Sequence, residues 1–300
     1  MGKISVVITS YNSQEKIENC LKSVSFADEI IVVDGSSIDK TLEIAKKYRS
    51  KIFVRPNNPM LNVNKNFGFS KAKGDWIFSL DTDERITPEL AKEIKEKIGN
   101  SVNGYWIPRK NIIFGKWIEH TGWYPDYQLR FFRNGKGKYE EEHVHEMIKV
   151  DGKIGNLNGH ILHYNYDNVL QFIQKTGIVY APNEADQLLK KGYIFDWRDS
   201  IRFPLKEFLS RFFAREGYKD GFHGLVLSML MAFYHLVVFA YIWEKQKFRT
   251  VEGPKFLDET EKEFLKSSKE LSFWFGKEKI KFVRNPLLRL LRKIIRRVKQ

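Results

Sequence analysis

A chain of 300 residues with 42% apolar and 29% charged residues can bury its own core, and wholesale disorder or a collagen-like repeat is excluded. The single cysteine, Cys20, rules out an internal disulfide framework and a cysteine-rich zinc site, and it suits a reducing compartment. Lys and Arg number 51 against 37 Asp and Glu, a net charge of +14, and residues 277–300 alone carry +9 of it. Basicity concentrated in this way points to an anionic surface more than to a generally basic protein.

The chain enters a β-branched run at residues 4–9 almost at once, so no cleavable signal is visible and the N-terminal part is expected in the cytoplasm. A helix over 14–24 follows the turn-forming Ser10-Tyr11-Asn12-Ser13. Then come a strand at 29–34, a helix over 39–48 with Asp39 as its cap, and a strand at 51–54. A helix near 62–72, a strand at 76–80 and a helix over 87–98 with Pro88 at its first position complete the first part. Strands alternating with helices imply parallel pairing, crossover connections and helices on both faces. Ligands of such sheets sit beyond the carboxyl ends of the strands. That places a site among Thr9-Ser10-Tyr11, Asp34-Gly35-Ser36 and Asp81-Thr82-Asp83.

Residues 105–166 are richer in aromatics, Gly and Pro and read as mixed or antiparallel strands with long loops, and from Asp167 the pattern is helical. Residues 222–243 hold 22 positions without Asp, Glu, Lys or Arg, interrupted by His223 and His235, and a bilayer crossing needs about 20, so a single span, a helix buried in a dimer interface and one lying partly immersed are all open. Residues 287–298 place Leu287, Leu288, Leu291, Ile294, Ile295 and Val298 at helical spacing among arginines and lysines. Such a helix can seat its apolar stripe among acyl chains while its cations meet anionic headgroups. The expected organisation is a catalytic domain at 1–166, a helical membrane-associated region at 167–250 and a basic amphipathic tail at 251–300. A nucleic-acid partner is not expected, because no binding motif accompanies the charge.

Two carboxylates spaced by two on an extended segment, Asp81 and Asp83, project to one side, where they can share Mg²⁺ or Mn²⁺ with diphosphate oxygens. With that triplet the chain resembles family 2 glycosyltransferases of the GT-A fold. The resemblance rests on Ser5-Val6-Val7-Ile8-Thr9-Ser10-Tyr11-Asn12, on the run from Ile31 to Thr41 with Asp34-Gly35-Ser36-Ser37, and on the run from Gly74 to Glu84. Lys65-Asn66-Phe67-Gly68, the run from Gly122 to Arg130, Val144-His145-Glu146 and His163-Tyr164 are similar to the bacterial lipopolysaccharide core β-glucosyltransferases within that family. The fold implied is a Rossmann-like mixed α/β sheet with helices on both faces, followed by membrane-associated helices.

The resemblance also implies roles. Thr9, Tyr11 and Asn12 line the nucleotide pocket; Asp34 accepts from the uracil ring N–H; Lys65 answers uracil or phosphate oxygens. Asp81 contacts ribose and metal-bound water, and Asp83 ligates the cation. Arg130 and Arg133 are candidates to clamp the diphosphate. For the base that deprotonates an acceptor hydroxyl, Glu146, 63 residues past Asp83, is preferred, with Asp126 second. His143, His145 and His163 are candidate nitrogen ligands. Trp106, Trp117, Trp123, Tyr105 and Tyr124 offer aromatic faces to sugars or simply pack the core. The expected activity is inverting transfer of a hexose, glucose foremost, from a UDP-sugar to a membrane glycolipid such as lipopolysaccharide core, at the cytoplasmic face of the inner membrane. Transfer to a polyprenyl phosphate and a non-catalytic membrane scaffold are the rivals.

Overall fold

The computed structural model describes residues 2–58, 60–99, 101–141, 146–283 and 286–288, which divide into two compact units. The first unit comprises residues 1–117 and 123–165, and the second comprises residues 118–122 and everything from Tyr166 on.

In the first unit the β-branched runs form β1 (Ile4–Ser10), β2 (Glu29–Asp34), β3 (Lys51–Val54) and β4 (Trp76–Asp81), with β5 (Glu84–Ile86) close behind. Between them lie α1 (Ile17–Ser23), α2 (Thr41–Lys46) and α3 (Leu61–Lys71), and α4 (Pro88–Lys97) follows. The aromatic-rich stretch supplies β6 (Gly104–Ile113), β7 (Lys116–Trp117), β8 (Asp126–Arg133), β9 (Gly137–Lys138), β10 (Lys149–Val150), β11 (Ile154–Asn156) and β12 (Ile161–Tyr166). The main sheet runs β3-β2-β1-β4-β8-β6-β12-β5. Its first four strands are parallel, while β8 pairs antiparallel with both β4 and β6, and β12 with β5. It is a mixed α/β sheet.

Strand alternation distributes the core to two faces. Ile4, Val6, Ile8, Val32, Trp76, Phe78 and Leu80 meet Ile17, Leu21, Ala45, Leu90 and Ile94 of the helices on one side. Val7, Ile31, Val33 and Ile77 meet Phe69 of α3 on the other, with Leu129 and Phe132 from β8. Helices therefore cover both faces. Thr87 caps α4 by accepting from the Leu90 amide at 3.2 Å, with Pro88 at the first helical position.

Two helices start later than their patterns suggest. The Ser13 carbonyl closes a turn with the amides of Lys16 and Ile17, and Gln14 is drawn to the second loop, donating to Asp39 and accepting from the Lys40 amide. Thus α1 begins at Ile17. Asp39 accepts from the Thr41 amide at 2.9 Å and from its hydroxyl, so α2 begins at Thr41. Asp39 is accordingly a local tether between loops.

The second unit contains α5 (Val169–Gln174), α6 (Ala181–Lys190), α7 (Asp199–Leu209), α8 (Phe222–Lys245) and α9 (Phe256–Lys281), with a π-helical turn at Lys175–Tyr180. α9 docks on α7 through Arg198–Glu259 at 3.0 Å and Arg202–Glu263 at 2.6 Å, two pairs one turn apart on each helix. The buried Asp220 carboxylate accepts from the amides of Glu119 and His120 and the hydroxyl of Thr121, which ties residues 118–122 into this unit. The tail stripe from Arg289 to Val298 lies outside the described residues; Leu287 and Leu288 are exposed.

Candidate active site

Strand register brings the first two loops and the acidic triplet to one edge. Thr9 lies opposite Asp81, and Ser10 opposite Asp34, in adjacent parallel pairs. Asp34 is fully buried: Oδ1 accepts from the hydroxyls of Ser10 at 2.8 Å and Ser37 at 2.7 Å, and Oδ2 from the Ser37 amide at 2.7 Å. Three donors thus fill most of the roughly four acceptor sites of an ionised carboxylate. Asn12 has a positive φ of 43°; its amide donates to Ser37 and its side chain accepts from Ile38, so it locks the first loop to the second. Tyr11 stands 47% exposed beside them, and Thr9 is half-buried.

The carboxylates of Asp81 and Asp83 are not brought to one side by strand periodicity, contrary to the expectation from their spacing. β4 ends at Asp81, and Thr82 and Asp83 form a turn pinned by Arg85, which donates to the carbonyls of Thr82 and Glu84 at 2.6 and 2.7 Å. Asp81 turns toward two cations, with Lys65 Nζ 2.7 Å from Oδ1 and Arg130 Nη2 2.8 Å from Oδ2. Burial pushes this carboxyl up, but Lys65 and Arg130 prevail and hold it well below the usual carboxylate range. Lys65 arrives from α3, which lies tight on the sheet because residue 68 has no side chain. A Cβ there would fall 2.4 Å from Val7 Cγ1 and 3.0 Å from Val33 Cγ2.

Glu84 is buried completely and joins both halves of the site. Its Oε2 accepts from the Asp81 amide at 3.0 Å, and Oε1 lies 2.9 Å from Arg109 and 3.4 Å from Arg130. Arg109 in turn grips Asp126 directly across the β6–β8 pair, with Nε at 2.9 Å and Nη2 at 2.6 Å. Asp126 also accepts from Asn111 and Gln128. Burial pushes its carboxyl up, yet Arg109 and the two amides hold it below its ordinary value. Sequence reasoning missed Glu84, Arg109 and Asn111. Two arginines on inward-facing strands, each needing a buried counter-charge, were the available signal.

Asp83 faces a different group. The β12–β5 register sets His163 opposite Glu84, and the Tyr164 amide donates to the Asp83 carbonyl at 2.9 Å. His163 Nε2 stands 3.7 Å from Asp83 Oδ2, while Nδ1 is 2.7 Å from Asn111 Oδ1. The Asn111 amide nitrogen donates to the Trp123 carbonyl and the Asp126 carboxylate, both pure acceptors, so its oxygen must accept and His163 Nδ1 must carry the hydrogen. Nε2 is thereby aimed at Asp83, beyond hydrogen-bond reach but within the spacing of two ligands on one cation. A carboxylate oxygen and an imidazole nitrogen are donor types that a divalent ion accepts. Among the described residues no set of three or more His, Cys, Asp or Glu gathers as a metal site.

Glu146 accepts from Asn62 at 3.3 Å and from the Glu141 amide at 2.9 Å; Asn62 is one turn before Lys65 on α3. Glu140 pairs with Lys149. His143 and His145, with Glu142 and Val144, lie outside the described residues. Arg133 turns to the opposite side from Arg130, donating to the Val102 carbonyl and covering Trp76 at 4.8 Å, so the two do not form one clamp. Tyr105 packs in the core, whereas Trp117 and Tyr124 meet edge to face at 5.5 Å and the Tyr124 hydroxyl reaches His160 at 3.0 Å.

A family model described as glycosyl transferase family 2 matches residues 5–177. The chain belongs to glycosyltransferase family 2. This glycosyltransferase, with its GT-A sheet, is 30% identical over 247 residues to an uncharacterised glycosyltransferase of Rickettsia typhi, spanning 78% of this chain and 84% of that one. It is 26% identical over 251 residues to the lipopolysaccharide core biosynthesis glycosyltransferase LpsC of Rhizobium meliloti, spanning 81% and 92%. Among solved structures, the Staphylococcus aureus TarS fragment 1–349 in complex with UDP-GlcNAc is similar at 15% identity and a TM-score of 0.43, over 83% of this chain and 93% of that one.

Proposed function

We propose that this glycosyltransferase transfers a hexose, glucose foremost, from a UDP-sugar to a hydroxyl of a membrane glycolipid such as lipopolysaccharide core, with inversion at the anomeric carbon. The observation that carries the reading is the meeting of Asp34, the Lys65–Asp81–Arg130 group and the Asp83–His163 pair at one sheet edge. Thr9, Tyr11 and Asn12 border the base, and Asp34, closed from solvent beneath Ser10 and Ser37, would accept from the uracil N–H that cytosine lacks only once those loops open to the base. Lys65 and Arg130 are the cations within reach of the diphosphate.

Asp83 and His163 would hold the divalent ion, and an imidazole nitrogen in the set favours Mn²⁺ over Mg²⁺. When bound, the ion neutralises charge on the departing diphosphate, so no protonated acid is needed. Glu146 takes the proton of the acceptor hydroxyl as that oxygen bonds to the anomeric carbon and the bond to the diphosphate breaks. Asp126, already holding four donor contacts, is the weaker proton acceptor. The likeness to LpsC supports a lipopolysaccharide-type acceptor. The basic second unit and the apolar α8 support attachment to an anionic membrane surface, the cytoplasmic face of the inner membrane.

The test is a panel of nucleotide sugars screened for thermal stabilisation with Mn²⁺. A UDP-hexose at a hundred times its dissociation constant should stabilise by about 2.7 kcal/mol, and Asp83→Ala should abolish the effect. If no UDP-sugar raises the melting temperature, the reading is wrong. Glu146→Gln should retain binding and lose transfer; substantial residual transfer would favour a phosphate acceptor such as polyprenyl phosphate.

A further inference from the structure

α8 is apolar on its outward side as well as on its buried one, which is unusual for a helix bathed in water. Met229, Phe233, Leu236, Ala240 and Trp243 recur at steps of four and three along its outward side, with Phe222 about two turns before them, and all are exposed. Met229 is 58% and Phe233 50% exposed, so the stripe does not merely graze the surface. The inward side packs Leu227, Met231, Val238, Phe239 and Ile242, and among them it makes polar contacts to its neighbours. The Tyr234 hydroxyl donates to Glu184 of α6, and His235 sits 4.0 Å from Glu184 and 3.6 Å from Glu207 of α7. Lys245 closes the far end on Asp186 at 2.8 Å.

Length does not decide how such a helix meets a membrane: 24 residues reach about 36 Å, enough for a crossing. The inward side does decide. To span alone, α8 would have to abandon Glu184, Asp186 and Glu207, leaving Tyr234 and His235 facing hydrocarbon. To span with its partners, it would carry Glu184 and Glu207, which face Tyr234 and His235 at mid-helix, into the bilayer interior, where ionised groups are strongly disfavoured. We propose that α8 lies flat in the interfacial layer of an anionic membrane, immersing the stripe from Phe222 to Trp243 while its other side remains packed on α6 and α7. This rests on, and sharpens, the membrane attachment proposed above.

The basic tail and the cations after Trp243 favour an anionic lipid surface as the covering partner. Residues 166–300 hold 26 Lys and Arg against 16 Asp and Glu, an excess that falls almost wholly in residues 277–300, so it is the tail that would draw this unit to acidic headgroups. Lys245, Lys247 and Arg249 follow Trp243 immediately, a placement in which an aromatic anchor sits at the headgroup level beside cations.

The experiment uses the full chain and vesicles of phosphatidylcholine with phosphatidylglycerol. Phe222→Cys, Met229→Cys, Leu236→Cys and Trp243→Cys are each labelled with an environment-sensitive fluorophore; the fully buried Cys20 stays native. Depth-graded quenchers should place all four at one shallow depth, about 5–10 Å below the headgroups. A profile with Met229 and Leu236 near the midplane and the two ends shallow would overturn the flat placement while leaving membrane attachment intact. Absence of binding to the anionic vesicles would overturn both, with UDP-sugar stabilisation still reporting on the catalytic reading. The exposed pair Phe233→Glu with Leu236→Glu should weaken vesicle binding about tenfold or more at unchanged melting temperature. If that pair instead splits a lipid-free dimer in sedimentation, a second copy covers the stripe and the proposal fails.

Discussion

Arg130 reaches Asp81 with the same nitrogen that lies 3.4 Å from Glu84, so one guanidinium links the end of β4 to a carboxylate with no exposure to solvent. Arg109 likewise links Glu84 to Asp126, through Nη1 and Nη2 respectively. Glu84 is therefore the shared counter-charge of two arginines that each hold an acidic residue of the site. Removing one partner from a buried ionic group leaves the other charges uncompensated. Glu84→Gln is expected to cost about 3–5 kcal/mol in urea unfolding. It should also weaken UDP-sugar binding, since Arg130 loses its anchor. A loss under about 1 kcal/mol would mean that solvent or rearrangement supplies the missing charge.

Gly68 sets the distance between α3 and the sheet, and with it the reach of Lys65 to Asp81. Gly68→Ala places a methyl group against Val7 and Val33, and overpacking of this kind costs roughly 1–3 kcal/mol. UDP-sugar affinity should fall with it. Val7→Ala in the same chain opens the space and should recover part of both losses. Recovery of neither would locate the defect in the helix itself rather than in the contact.

The strands up to Asp81 were legible because a buried parallel strand leaves a continuous β-branched run, and the carboxyl-edge rule then pointed to Asp34 and Asp81. The partners of those residues were not legible. Glu84 meets arginines 25 and 46 residues away, and His163 meets Asp83 only through the β12–β5 register, which pairs a short strand of three residues with a distant one. Nothing in local spacing encodes that pairing. The turn at Thr82–Asp83 was hidden for the opposite reason: Asp-x-Asp reads equally well as strand or turn, and Arg85 decides. On α8 the hydropathy was plain, whereas the contacts of Tyr234 and His235 depended on Glu184 and Glu207, which only the helical packing brings near.

Asn111 orients His163 by accepting from Nδ1, so its effect on a cation at Asp83 should appear without any contact of its own. Asn111→Ala is expected to weaken Mn²⁺ binding in the presence of UDP about 10–100-fold, read by calorimetry. Circular dichroism checks that β6 persists. Unchanged affinity would remove His163 from the ligand set and leave Asp83 with diphosphate oxygens alone.

Asp126 supplies a pH-dependent contribution whose sign is set by its partners. Its folded-state value is depressed, so its stabilisation is fully present above the unfolded-state value of about 3.9 and is lost as pH falls below that toward the folded value. Asp126→Asn removes the charge held by Arg109 and should lower stability by roughly 1.5–3 kcal/mol near neutral pH. The gap in melting temperature between variant and natural protein should close as the pH is taken down through about 4 toward 3. A gap that widens in acid would mean that the Arg109 contact is not what holds this carboxylate. The same bonding argues that Asp126→Asn acts on the site through Arg109 and Asn111, so transfer should suffer less than in Glu146→Gln at equal substrate saturation; the reverse order would make Asp126 the base.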